Sequence, residues 1–229
     1  MEDITILYED NHLLVAVKPQ NILSQGDKTQ DKDFLTMLKE YLKEKTGKTG
    51  NVYLGLVHRL DRPTGGVMVF AKTSKCAERL AKQMLDKKFE KRYLAVTDVP
   101  VAIKMQRLEN YLKKDGKTNI VKVCPMSEKD AKKAVTVYKE ISSNANHSLL
   151  DVQIETGRSH QIRVQLANIK CPLFGDNKYG AKGKTENLAL WAYKLCFFHP
   201  TKNTLMKFCA MPPQTSPWTE FNLDKTDWK

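Results

Sequence analysis

Residues 66–73 read GVMVFAKT, with no polar side chain before Lys72. A strand with one wet face alternates apolar and polar residues, whereas an unbroken apolar run of this length marks a strand buried on both faces. Its upstream neighbour, NVYLGLVHRL at 51–60, reads as a second strand, so the connection HRLDRPTGG lies between two core strands. That connection sets one acid, Asp61, among His58, Arg59 and Arg62.

The remaining pattern alternates strands with helices. ITILYEDNHLLVAVKP has two apolar runs around Glu9-Asp10-Asn11 and reads as a hairpin ending at Lys18-Pro19. DKDFLTMLKEYLKEKT places Phe34, Leu35, Leu38 and Leu42 near helical spacing, with a loop from Gly47 to Gly50 after it. SKCAERLAKQMLDKKFEKR predicts a helix capped by Ser74 with Leu80, Met84 and Leu85 inward, and RYLAVTDVP returns to strand. Between Leu108 and Ser143, short strands such as AVTVYKEI alternate with lysine-rich turns. SLLDVQIETGRSHQIRVQLANI runs from strand through Thr156-Gly157-Arg158 into a helix, with Ser159 as N-cap and Ile162 and Leu166 on one face. The tail predicts a strand, a turn from His199 to Asn203, another strand and a Pro-Pro stop. No repeat, low-complexity stretch or linker interrupts the 229 residues. The expected class is α+β: a single domain over 1–229, its core at about 4–213, with a mixed, mostly antiparallel sheet and flanking helices.

Lys plus Arg number 38 against 26 Asp plus Glu, a formal charge of +12 that attracts a polyanion, and nucleic acid is the first partner to consider. The plainer alternative is a basic enzyme whose lysines only keep it in solution. The five cysteines are far apart, with no C-x-x-C pair and no Cys/His ligand spacing, so they read as reduced thiols and no metal site is expected. No basic-then-apolar leader and no run of about 18 apolar residues occurs, so a cytoplasmic protein without membrane contact is expected.

An Asp beside a Pro-Thr-Gly-Gly turn is ordinarily a cap or turn former. Held among guanidinium groups, however, a carboxylate stays ionised at neutral pH, which suits a nucleophile better than a general acid. The same arginines can hold the phosphates that deliver a nucleotide. A salt bridge that only fixes the strand end remains the competing reading.

HRLDRPTGGVMVFAKT resembles the central motif of the RluA-type pseudouridine synthases. KRYLAV at 91–96 is similar to that family's tyrosine-containing strand motif and TGRSHQIRVQL at 156–166 to its third motif. FGDNKYG and FFHPTKNTLMKFCAMPP resemble its C-terminal pattern, and YEDNHLLVAVKPQNI its N-terminal one. The resemblance implies a pseudouridine-synthase-like catalytic domain with a central RNA-binding cleft. It implies an isomerase that converts uridine in RNA to pseudouridine without a cofactor. Asp61 aligns with the catalytic aspartate, Arg163 with its basic partner, and Tyr93 with the tyrosine that stacks on the base. Arg59 aligns with the residue that fills the place of the flipped-out base. Arg62, Lys18, Arg158, His160 and Gln161 belong to motifs that flank the RNA side in the family, though each residue also suits a structural role. His58 reads as a packed strand-end histidine.

Two positions depart from the family pattern: Gly65 stands where Ser is common, and Trp191 where His is common. The chain is expected to lack the small N-terminal RNA-binding domain of many relatives and to act as a monomer with no obligate protein partner. A structured stem-loop in rRNA or tRNA is the more economical target. Two rival readings stand beside this one. A non-catalytic RNA-binding protein would keep the scaffold, but intact Asp61, Tyr93 and Arg163 argue against it. A glycosidase or nuclease would need a second carboxylate or a metal; Glu155 is the nearby motif carboxylate, expected to be structural.

Overall fold

β4, Gly65–Ala71, has all seven of its residues buried, as its unbroken apolar run predicts. The computed structural model describes residues 4–27, 30–47, 49–180 and 187–223. The architecture is α+β, and the chain divides into two compact units, one of residues 1–90 with 192–211 and the other of 91–191 with 212–229.

In the first unit, the expected hairpin forms from β1 (Ile6–Glu9) and β2 (Leu13–Lys18). Asp10 closes it by accepting the N–H groups of His12 and Leu13 at 2.7 and 2.8 Å. β2 pairs antiparallel with β4 in a register that runs from Leu13 opposite Ala71 to Lys18 opposite Gly66. Lys18 is thereby brought beside the connection that carries Asp61.

β3 is only Gly55–Leu56, although the sequence predicts a strand through residue 60. It pairs with Ala71 and Phe70 of β4. The ladder stops there because the next step is taken by a side chain: the Val69 N–H donates to His58 Nε2 at 3.2 Å. That contact gives His58 the packed, structural position expected of it.

α1 (Phe34–Thr46) starts on Asp33, whose carboxylate accepts the Thr36 N–H, and ends on Gly47 in the left-handed region at φ 63°. α2 (Ser74–Leu85) is capped by Thr73 rather than Ser74, because the Thr73 hydroxyl is the one that accepts the Cys76 N–H. Leu85, expected inward, is 84% exposed at the end of that helix. β10 (Leu190–Phe198) and β11 (Leu205–Cys209) close the unit as an antiparallel pair. Leu195 and Phe197 join Leu13, Val15, Val67, Val69, Cys76 and Leu80 in one apolar cluster. Full burial of each such aliphatic or aromatic side chain stabilises the fold by about 1.5–3 kcal/mol.

The second unit is a five-stranded antiparallel sheet in the order β5 (Glu90–Thr97), β9 (Ser148–Ile154), β8 (Lys132–Ser143), β6 (Met105–Lys114), β7 (Val121–Cys124). Its helix, α3 (Gln161–Asn168), begins after His160, which sits in the left-handed region at φ 51° and makes no side-chain cap bond. Ser159 is therefore not the N-cap. Gln161, the first helical residue, instead reaches back to the turn before the helix, its amide oxygen accepting the Arg158 N–H at 3.1 Å. The six residues Gln161–Leu166 are all buried, so α3 has no wet face in its first two turns.

Candidate functional site

Asp61 lies in a loop whose backbone is held by the last residue of β2 and by the segment that follows it. Lys18 is fully buried, and its ammonium donates to the carbonyls of Pro19 at 2.8 Å, Ile22 at 2.6 Å and Arg62 at 3.2 Å. Gln20 Nε2 donates to the Pro63 carbonyl at 3.1 Å. The buried Ser24 hydroxyl accepts the Leu60 N–H at 3.1 Å and donates to the Leu60 carbonyl at 2.7 Å. Arg62 Nε reaches back to the Asn21 carbonyl, and the Thr64 N–H closes the turn onto the Asp61 carbonyl. The backbone is thus tied at the residues on both sides of Asp61, which restricts where its half-buried carboxylate can point.

The turn ends on Gly66, where φ is 125° and a Cβ would stand 2.2 Å from the Ala192 carbonyl oxygen. Only glycine permits that approach of backbone to backbone. Gly65, the departure from the family pattern, is buried in β4 beside it.

Charge around the loop is uneven in its exposure. Arg59 and Arg62 are both exposed, and Arg62 forms an ion pair with Asp31 at 2.7 Å. Lys18 offers no surface charge. Burial pushes its pKa down to about 7, against partial support from the Asp61 carboxylate and with Arg62 adding to the depression. Its place is inside the loop, as a tether, rather than on an RNA-facing surface.

The second unit holds the other motif residues. Tyr93 is buried on β5, opposite Val152 of β9. Arg163 is buried on α3 and makes a two-pronged ion pair with Asp176, Nε to Oδ2 at 2.8 Å and a terminal nitrogen to Oδ1 at 2.7 Å. The Tyr179 ring lies under the guanidinium, 5.2 Å from Cζ to the ring centre. Tyr179 Oη in turn accepts the Val121 N–H at 2.9 Å and shares a 2.7 Å bond with His160 Nδ1.

Gln161 is also an internal residue. Its amide nitrogen donates to the Val135 carbonyl and Thr136 Oγ1, and its oxygen accepts from Thr156 Oγ1 and the Arg158 N–H. All four bonds are to protein, so it holds the strand-to-helix turn. Arg158 is exposed, with Nε on the Lys133 carbonyl at 3.0 Å. Glu155 is held in an ion pair with Arg107.

Three residues were missed in the sequence: Gln20, Ser24 and Asp176. Ser24 and Gln20 are short polar side chains in a loop, a pattern without a signal of its own. For Asp176 a signal exists, because a helix-borne arginine flanked by Ile162 and Val164 must find a carboxylate, and FGDNKYG offers one close in sequence.

An exposed pair of arginines beside a fixed carboxylate can hold phosphates and present a nucleophile or base to a nucleotide sugar or base. Among the described residues no helix is long and apolar enough to cross a membrane, and no group of three His, Cys, Asp or Glu side chains is placed to hold a metal ion.

Residues 12–168 match the model of the family described as RNA pseudouridylate synthase. The chain is 32% identical over 223 residues to a ribosomal large subunit pseudouridine synthase D of Zymomonas mobilis, covering 92% of this chain and 70% of that protein. It is 36% identical over 209 residues to an uncharacterized RNA pseudouridine synthase of Bacillus subtilis, covering 89% of this chain and 67% of that one. In fold it is similar to the human RNA pseudouridylate synthase domain containing 4, with a TM-score of 0.76 at 24% identity, over 92% of this chain and 89% of that one.

Proposed function

Because the chain belongs to the RNA pseudouridylate synthase family, whose members isomerise uridine in RNA, we propose that Asp61 is the carboxylate on which its glycosidic chemistry turns. The enzyme is an RNA pseudouridine synthase, and the reaction it catalyses breaks the bond from N1 to C1′, rotates the uracil, and joins C5 to C1′. The C5 hydrogen leaves as a proton and N1 gains one, so no oxidant, reductant or co-substrate enters the balance.

What carries the reading is the combination at the loop: a half-buried acid whose backbone neighbours are tied by Lys18, Gln20 and Ser24, next to exposed Arg59 and Arg62. A carboxylate that must meet one sugar or base atom gains from such pre-orientation, since effective molarity depends on a near-attack geometry. Uracil in a helix cannot reach it without leaving the stack at a cost of a few kcal/mol. Arg59 occupies the vacated place, and Tyr93 stacks on the extruded base, a contact worth about 1–3 kcal/mol. Arg163 supplies the positive charge that complements the reacting acid.

Arg62 and Arg158 meet the RNA backbone from the surface. Lys18 and Gln161 act indirectly, by holding the loops on which the surface residues stand, and His160 acts through Tyr179. The proposed substrate is a structured stem-loop of rRNA or tRNA, and the relative named for the large ribosomal subunit favours rRNA.

Tritium release from RNA carrying 5-³H-uridine tests the assignment, with EDTA present. Wild type is expected to release label and Asp61→Asn to release none, while RNA affinity stays within several fold. Release by Asp61→Asn near the wild-type rate refutes the role of Asp61.

A further inference from the structure

Arg163 lies at the third position of α3, between two buried glutamines that lash the helix to the sheet. Gln161 reaches the Val135 carbonyl and Thr136 on β8, and Gln165 accepts from Thr136 Oγ1 at 2.7 Å while donating to Asn110 Oδ1 at 2.9 Å. The Cα of Arg163 is therefore fixed by the helix, but its long side chain still needs something to fix its plane. Asp176 meets that need. Its side chain is fully buried, and both its oxygens bind the guanidinium in parallel.

Asp176 is itself held. Its Oδ1 accepts the Lys178 N–H at 3.2 Å, its carbonyl accepts the N–H groups of Tyr179 and Gly180, and its own N–H donates to Leu173. The same short turn delivers the Tyr179 ring to the guanidinium face, and the Tyr179 hydroxyl is anchored on Val121 and His160. Edge and face of the guanidinium are thus both fixed by one segment, residues 176–179.

A stability role alone explains this poorly. Burying two charges costs several kcal/mol per ion before their attraction is counted, and apolar residues of similar volume often do as well or better. α3 already has such residues in Ile162, Val164 and Leu166. We propose that Asp176 is a positioning residue for the isomerisation: it locks the plane of the Arg163 guanidinium so that the charge is presented to the reacting centre in one orientation. The inference rests on the assignment of Arg163 made above.

Single-turnover tritium release from limiting RNA at saturating enzyme separates the possibilities, because the rate constant at saturation reports the reaction and does not depend on what fraction of the enzyme is folded, whereas the enzyme concentration needed for half-saturation does. Wild-type release comes first, since its absence overturns the assigned function before Asp176 is in question. Given release by wild type, Asp176→Asn is expected to lower the rate constant ~100-fold, the scale of a 1 Å misplacement, with the half-saturating concentration of folded enzyme changed less than about threefold.

In an Arg163→Met background the same substitution is expected to lower the rate constant little further, because a residue acting through Arg163 has nothing left to position. A wild-type rate constant for Asp176→Asn at saturating enzyme, with only the half-saturating concentration raised, or full additivity with Arg163→Met, overturns the proposal. Should Asp176→Asn not fold, Asp176→Glu keeps the charge while displacing the oxygens. A wild-type rate constant there overturns the proposal, and a loss of tenfold or more upholds it.

Discussion

Lys18→Met removes an ammonium whose three N–H groups are spent on the carbonyls of Pro19, Ile22 and Arg62. Burial lowers its pKa from 10.5 to about 7, a penalty on the charged form of about 5 kcal/mol at 1.36 kcal/mol per unit. The folded-state value lies below the unfolded one. Between the two, the unfolded chain binds more protons, so the lysine makes stability rise with pH. Integrated from pH 7 to pH 9, that rise is about 2 kcal/mol for wild type, and methionine has no counterpart to it.

Urea unfolding of both proteins at pH 7 and pH 9 isolates the effect, because subtraction cancels every other titrating group. The difference is expected to move by about 2 kcal/mol in favour of wild type as pH rises. At pH 7 itself two larger quantities oppose each other. Three bonds from a charged donor, about 1.5–3 kcal/mol each, are lost, while the burial penalty is relieved. The net change there is small, but the Arg62 carbonyl beside Asp61 loses its tether, and the rate of label release is expected to fall. A difference between the two proteins that does not change with pH refutes the argument, since it would mean that the buried ammonium titrates where an exposed one does.

Two further substitutions probe the same loop. Gly66→Ala sets a methyl group 2.2 Å from the Ala192 oxygen and 2.6 Å from its nitrogen at a φ of 125°; a loss of about 3 kcal/mol or more is expected in chemical denaturation, and unchanged stability would contradict the close approach of the two backbones. Ser24→Ala strands the N–H and carbonyl of Leu60, which is expected to cost about 1–3 kcal/mol and to slow label release at unchanged RNA affinity, whereas a wild-type rate would show that the Asp61 loop keeps its shape without the hydroxyl.

Elements whose burial repeats simply along the chain were legible. β4 announced itself by seven consecutive buried residues and α1 by Phe34, Leu38 and Leu42 on one face. Elements settled by a single competing side chain were not. β3 stops at Leu56 because an imidazole takes the next ladder N–H, and α2 starts one residue earlier than its adjacent Thr-Ser pair suggested. α3 misled most, since its two glutamines and its arginine are buried, and a polar residue with all its bonds made internally reads in sequence like a surface residue. Of the proposed site, Asp61 and its arginines stood out because acid among bases is a local pattern. Lys18 was visible as a residue but not as a tether, and Asp176 had no visible role, because both act through contacts that depend on the folded path of the chain.

The discontinuity of the first unit bears on how the protein is made. Synthesis is vectorial, yet the apolar cluster of residues 13–80 is completed by Leu195 and Phe197, which emerge after the 91–191 segment of the other unit. At about 5–20 residues per second, the nascent hairpin and β4 wait roughly 5–20 s for their last packing partners. During that interval Leu13, Val15, Val67 and Val69 present an unfinished apolar surface on the ribosome, while the later segment can already pair its strands. The half that begins first is completed only by residues 192–211, which follow the whole 91–191 segment, so its apolar core stays open to chaperone capture for longer than its own length would require.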